Sequence, residues 1–207
     1  MDQEINRLRR RLLELAGWSD REVVPLAGLF QAADMPEPLP IEMGKEWPSR
    51  AFPVRMWFEA TVPKEWGGQP VFVRLAVDGE GLLLVKGRAL GGLNSYHREH
   101  LLPNWARGDE RVHLEVEAVP HGLFGTPVAA PRLEQAFLVL PDLDVRALCT
   151  DLDMALEAAP RVGEEAGILL LDAIAQVLAE LKLPRSPIEG YLARLVQTPV
   201  GAAMAGG

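Results

Sequence analysis

The strongest constraint on the fold is a period-2 alternation that recurs through the middle of the chain. Val54, Met56, Phe58, Ala60 and Val62 share one parity; Arg55, Trp57, Glu59 and Thr61 share the other. Successive side chains of a strand point to opposite faces, so this spacing predicts a strand with one buried face. Val71, Val73, Leu75 and Val77 repeat it. The cleanest case is 111–118, where Val112, Leu114, Val116 and Ala118 oppose Arg111, His113, Glu115 and Glu117. Residues 82–85 are continuously apolar, which predicts a strand covered on both sides, and 133–140 becomes apolar on both faces towards its end. Residues 99–102 form a further short strand. Turn signals separate the runs: Pro63, Gly67-Gly68, a hairpin signal at Asp78-Gly79, Lys86-Gly87, and a glycine-rich turn at 121–125. Short strands at regular spacing predict an antiparallel sandwich or barrel.

At Pro141 the period changes from 2 to 3.6. Val145, Leu148, Leu152 and Leu156 fall on one helical stripe, with Asp142 or Asp144 placed to cap its start. Ile168, Leu171, Ile174, Ala175, Leu178 and Leu181 make a second stripe, and 188–196 suggests a short third helix. At the other end, Ile5, Leu8, Leu12, Leu13 and Leu15 predict a helix closed by Gly17, with Arg7, Arg9, Arg10 and Arg11 on its solvated side. A helix this short is marginal alone and needs a partner to dock on. Residues 18–50 lose all periodicity and carry Pro25, Pro36, Pro38, Pro40 and Pro48, which predicts an extended arm pinned to a sheet by Trp18, Phe30 and Trp47. The division is therefore 1–17 helix, 18–50 wrapping arm, 51–141 β-sandwich, 142–200 helical linker region and 201–207 flexible tail.

Composition excludes several function classes. The 207 residues carry a net charge of −8, which disfavours nonspecific binding to nucleic acid or to an anionic membrane. No run approaches the roughly 20 apolar residues of a membrane span, and the first residues lack the apolar core of a secretory signal. Cys149 is the single cysteine, so no internal disulfide can form. The expectation is a cytoplasmic protein.

Candidate chemistry is sparse. His97, Glu99 and His100 lie close enough in sequence to suggest a metal site, but the order does not match the zincin pattern, and only His113 and His121 remain as further histidine ligands. Anchoring of the loop around Asn94, His97 and Glu99 is the reading adopted, with no metal. Gly91-Gly92 lacks the residues that complete a phosphate loop. Trp57, Trp66, Tyr96 and Trp105 are expected to be exposed, where flat aromatic rings can stack on sugars, although packing in the core or at an interface is the favoured role. No GxSxG elbow is present, Cys149 sits beside a buried helical stripe, and no carboxylate pair is nominated for glycoside hydrolysis. No catalytic residue is assigned.

Three segments together carry a resemblance: WFEATVPKEWGGQPVFVRL, then GEGLLLVKGRALGGLNSYHREHLLP, then VHLEVEAVPHGLFG. Their order and spacing resemble the N-terminal non-catalytic region of glycoside hydrolase family 38 α-mannosidases. The later LDVRALCTDLDMALEAA is similar to the helical connection that follows in those enzymes, so the resemblance covers roughly residues 47–181. It implies a galactose-binding-like jelly-roll sandwich leading into two or three helices. In the whole family a catalytic domain follows, opening with a His-x-His-x-Asp segment that ligates a divalent metal, usually zinc. No such segment occurs in the 207 residues, so no metal or catalytic residue carries over, and no cofactor is expected in this chain. Asn94 stands where many relatives carry Asp. The resemblance implies a scaffold for the catalytic domain of the same enzyme, or a homo-oligomer contact, inactive by itself. A stand-alone carbohydrate-binding module is the alternative.

Overall fold

The computed structural model describes residues 1–50 and 53–181, so the helix expected at 188–196 and the tail lie outside the described residues. Among the described residues, ten strands and three α-helices divide between two compact units, Val23–Leu140 and Met1–Glu22 with the chain from Pro141 onward.

The first unit is all-antiparallel. Its strands are β1 (Asp20–Pro25), β2 (Ala27–Gln31), β3 (Leu39–Ile41), β4 (Val54–Thr61), β5 (Phe72–Ala76), β6 (Glu80–Val85), β7 (Arg88–Leu93), β8 (Glu99–Leu101), β9 (Arg111–Val119) and β10 (Gln135–Pro141). They form a four-stranded sheet in the order β1-β10-β5-β8 and a six-stranded sheet in the order β3-β2-β4-β9-β6-β7. The alternation seen in sequence is the cause of the layering. β4 and β9 pair along their whole length, from Val54 opposite Ala118 to Thr61 opposite Arg111. Met56, Phe58, Leu114 and Val116 thereby enter the core, where they meet Val73, Leu75, Ala136 and Leu138 of the smaller sheet. Each such side chain, fully withdrawn from water, contributes about 1.5–3 kcal/mol of transfer free energy.

Several expectations change. Residues 18–50, expected as an arm lying on a sheet, supply β1, β2 and β3, so that β2 pairs directly with β4. Of the three aromatics expected to pin that arm, Trp47 is 3% exposed and donates its indole N–H to the Val77 carbonyl at 2.7 Å. Asp78-Gly79 is not a hairpin: β5 and β6 belong to different sheets, and the turn carries the chain from one layer to the other. Asp78 takes φ +51°, while a Cβ at Gly79 would sit 2.5 Å from the Val119 carbonyl oxygen. The true hairpin is at Lys86-Gly87, where φ values of +51° and +71° join β6 to β7 as a primed turn requires. The apolar run 82–85 is covered on one side only, since Leu83 is buried and Leu82 is 39% exposed.

The second unit contains α1 (Asp2–Ala16), α2 (Leu143–Ala158) and α3 (Glu164–Glu180). Ile5, Leu8, Leu12 and Leu15 of α1 share one core with Leu152, Leu156, Leu171, Ile174 and Leu178. The partner that α1 needs is thus the pair of helices from the far end of the chain. Arg7 pairs with Glu4, and Arg9 with Glu157, which keeps the arginine-rich side at the surface. Asp142 caps α2 by accepting the Val145 N–H at 3.1 Å and the Arg21 Nε–H at 3.2 Å. Burial pushes the Asp142 carboxyl up, but those two donors and the Arg21 charge outweigh it and hold the group below its ordinary 3.8.

Candidate functional site

The polar cluster first suspected as a site is a structural joint between β7 and β8. Asn94 turns the chain there: its side-chain oxygen accepts the backbone N–H groups of Tyr96 and His97, both at 2.9 Å. The Asn94 N–H donates back to the His97 carbonyl at 3.3 Å, closing the loop. This is the local competition by which Asn favours turns over strands. Glu99 points elsewhere, accepting the Arg74 Nε–H at 2.8 Å across β5 and β8. His100 lies over Gly91, with its Nε2 3.0 Å from the Gly92 carbonyl. A Cβ at Gly91 would fall 2.4 Å from the His100 ring, so the glycine is there for the imidazole.

These three side chains therefore diverge. Among the described residues no group of three or more His, Cys, Asp or Glu is placed to hold a metal ion. His113, the next candidate, contacts Glu59 at 2.9 Å on the outer side of the six-stranded sheet. The zinc that the resemblance implies for a whole enzyme finds no matching donor set in the described residues. Cys149 is half-buried, and burial pushes its thiol up from 9.0, which suits a packing role.

The four aromatics do not form one surface. Trp66 is 0% exposed and belongs to the sandwich core, so its expected exposure is corrected: the 3-10 turn that carries it (Lys64–Trp66) tucks the ring inward. Trp57 is half-buried on β4, between Leu29 of β2 and Glu115 of β9. Tyr96 (79% exposed) stands on the Asn94 turn. Trp105, 68% exposed, lines a cleft. That cleft holds about 190 Å³ and is bordered by Lys86, Pro103, Trp105, Arg107, Arg111 and His113.

The loop carrying Trp105 is firmly held. Leu102 N–H donates to Val71 O at 2.9 Å on one side of the tryptophan, and Ala106 N–H to Gln69 O at 3.0 Å on the other. Just beyond, the Arg107 N–H donates to both carboxylate oxygens of Glu110, at 2.9 and 3.0 Å. Sequence reading nominated Trp105 but not its basic surroundings. Lys86 and Arg107 are twenty-one positions apart and meet only because the β6–β7 hairpin ends beside the β8–β9 loop.

Two antiparallel sheets closed over one core define a β-sandwich of the jelly-roll class. The family model described as "Alpha-mannosidase, jelly roll domain" matches residues 16–141, and the chain belongs to that family. It is 31% identical over 125 residues to alpha-mannosidase 2C1 of Mus musculus and 32% identical over 125 residues to alpha-mannosidase 2C1 of Homo sapiens. Each match covers 53% of this chain and only 12% of the relative. Among solved structures, Faecalibacterium prausnitzii beta-glucuronidase aligns with a TM-score of 0.39 at 13% identity, over 59% of this chain and 32% of that one.

Proposed function

We propose that this chain is a non-catalytic part of a larger α-mannosidase, a scaffold that packs against a metal-dependent catalytic domain or against a second copy of itself. The observation that carries the reading is the coincidence of the family match, 16–141, with the sandwich unit Val23–Leu140. Two further features support it. The polar side chains that first suggested a reaction centre are engaged in holding loops and strands together. The helical unit also leaves Leu13, Met154 and Leu169 between 65 and 72% exposed, apolar area of the kind that docking covers. Among the described residues no helix is long and apolar enough to cross a membrane, and a cytoplasmic site of action is part of the proposal.

The test is hydrolysis of an aryl α-mannoside by the purified 207-residue chain, with and without added zinc. The expected release does not exceed that of buffer. Release proportional to protein concentration overturns the reading.

A second reading has one specific observation in its favour: the exposed Trp105 on a firmly held loop. In it, the sandwich binds carbohydrate by stacking a sugar ring on that indole. Calorimetric titration with mannose oligosaccharides separates it from a purely mechanical role.

A further inference from the structure

Positive charge gathers around Trp105 in a protein that is acidic as a whole. The Trp105 cleft adjoins a hollow of about 360 Å³ that shares Val85, Lys86, Pro103 and Asn104 with it and adds Arg88. Four cationic side chains, Lys86, Arg88, Arg107 and Arg111, border this double depression, with Glu110 as the sole carboxylate. That carboxylate is occupied by the Arg107 backbone N–H. Arg111 leans 3.8 Å from Glu59, outside the depression. Lys86, Arg88 and the Arg107 guanidinium have no acidic partner among the described residues, in contrast to Arg74, Arg98, Arg132 and Arg146, each of which is paired.

Unpaired cations on a surface are ordinary. Here they flank an indole whose loop is hydrogen-bonded on both sides, and a hairpin whose turn geometry fixes the backbone at Lys86. A flat apolar ring and several cations carried on backbone segments that are themselves held suit a ligand with a hydrophobic face and an acidic substituent. The backbone is already ordered before binding, so the ordering cost falls on the side chains alone.

We propose that the depression between the Lys86-Gly87 hairpin and the Trp105 loop binds a saccharide bearing an anionic group, either a phosphate ester or a sugar carboxylate. The sugar ring stacks on Trp105, and the anion is met by Lys86, Arg88 and Arg107. The inference rests on the carbohydrate reading given above and narrows it; the scaffold reading stands whatever its outcome.

The experiment follows backbone amide chemical shifts and calorimetric heat as the full chain is titrated with mannose, mannose 6-phosphate, glucuronate and inorganic phosphate. At least one of the two anionic sugars is expected to bind about tenfold more tightly than mannose, the worth of one charge-assisted hydrogen bond. Shifts should cluster at 85–88 and 103–107, and the advantage should shrink as salt is raised. Comparing the two anionic sugars identifies the acidic group. Lys86→Ala and Arg107→Ala should erase the advantage while leaving mannose unaffected, and Trp105→Ala should weaken every sugar. All three side chains border the open depression, and unchanged melting confirms that each variant is folded. Inorganic phosphate binding as tightly as mannose 6-phosphate overturns the proposal, since the ring would then add nothing. Equal affinity for mannose and both anionic sugars overturns it while sparing the carbohydrate reading. No binding by any sugar removes both.

Discussion

Trp66 and Trp105 offer a paired perturbation that separates packing from surface recognition. Both are tryptophans in the sandwich unit, yet one is 0% and the other 68% exposed. Trp66 ends the 3-10 turn Lys64–Trp66, whose backbone closes through Trp66 N–H to Pro63 O at 3.1 Å. Its indole fills core volume shared with both sheets. Truncating a buried Trp to Ala costs about 3–5 kcal/mol, the lost transfer free energy plus the cavity left behind. In a chain of this size that is a fall in melting temperature of roughly 6–20 °C. Trp66→Phe refills part of the space and should fall between wild type and Trp66→Ala, which keeps the comparison usable if the alanine variant does not fold. Trp105→Ala removes no core contact and should stay within about 0.5 kcal/mol of wild type. Urea denaturation followed by far-UV circular dichroism measures all three. A loss at Trp105→Ala as large as that at Trp66→Phe would refute the assignment of the two rings.

Two further outcomes follow from local geometry. Gly91→Ala forces a Cβ against the His100 ring and should cost about 1–3 kcal/mol; in a His100→Ala background most of that cost should disappear, a coupling that a double-mutant cycle reads directly. Asp142→Ala should destabilise the helical unit by about 1 kcal/mol through loss of the α2 cap. Because the folded Asp142 carboxyl is held below 3.8, its ionic contribution is fully present above that value and is lost as pH falls through the depressed one. The stability gap between wild type and Asp142→Ala, measured by denaturation at successive pH values, should therefore be flat near neutrality and close only in strong acid.

The parts of the fold legible in sequence were those with an unbroken period. β4 and β9 alternate over eight and nine residues, and their facing sets in the structure are those the parity predicts. The stripe from Val145 to Leu156 located α2, and Asp142 proved to be its cap. Where the chain is short of residues per element, pattern fails. β3 spans three residues with a central proline, and β2 five with a glycine that lies 2.8 Å from the Phe58 ring if given a Cβ. Neither displays a countable period, so the region read as an arm. Asp78-Gly79 does turn the chain, but turn chemistry says nothing about which sheet the next strand joins. Trp66 was misjudged because a single 3-10 turn has no amphipathic period to reveal its inner side. The Asn94 turn rests on a residue-level property, the side-chain oxygen of Asn that accepts the backbone N–H groups of Tyr96 and His97. The convergence of Lys86, Trp105 and Arg107 was not, because it depends on two loops meeting at one end of the sandwich.

The sharing of one helical core by α1, α2 and α3 has a consequence for the order in which the molecule assembles. Leu8 is made before the sandwich, but its neighbours Leu152 and Leu171 are translated only after the whole of it. At bacterial-to-eukaryotic elongation rates, α1 waits on the order of ten to thirty seconds for them. During that time its stripe of Ile5, Leu8, Leu12 and Leu15 has no permanent home, while β1 to β10 can already close on themselves. A newborn chain thus carries a completed sandwich led by an uncommitted apolar helix. Its burial is completed only once α2 and α3 have been made.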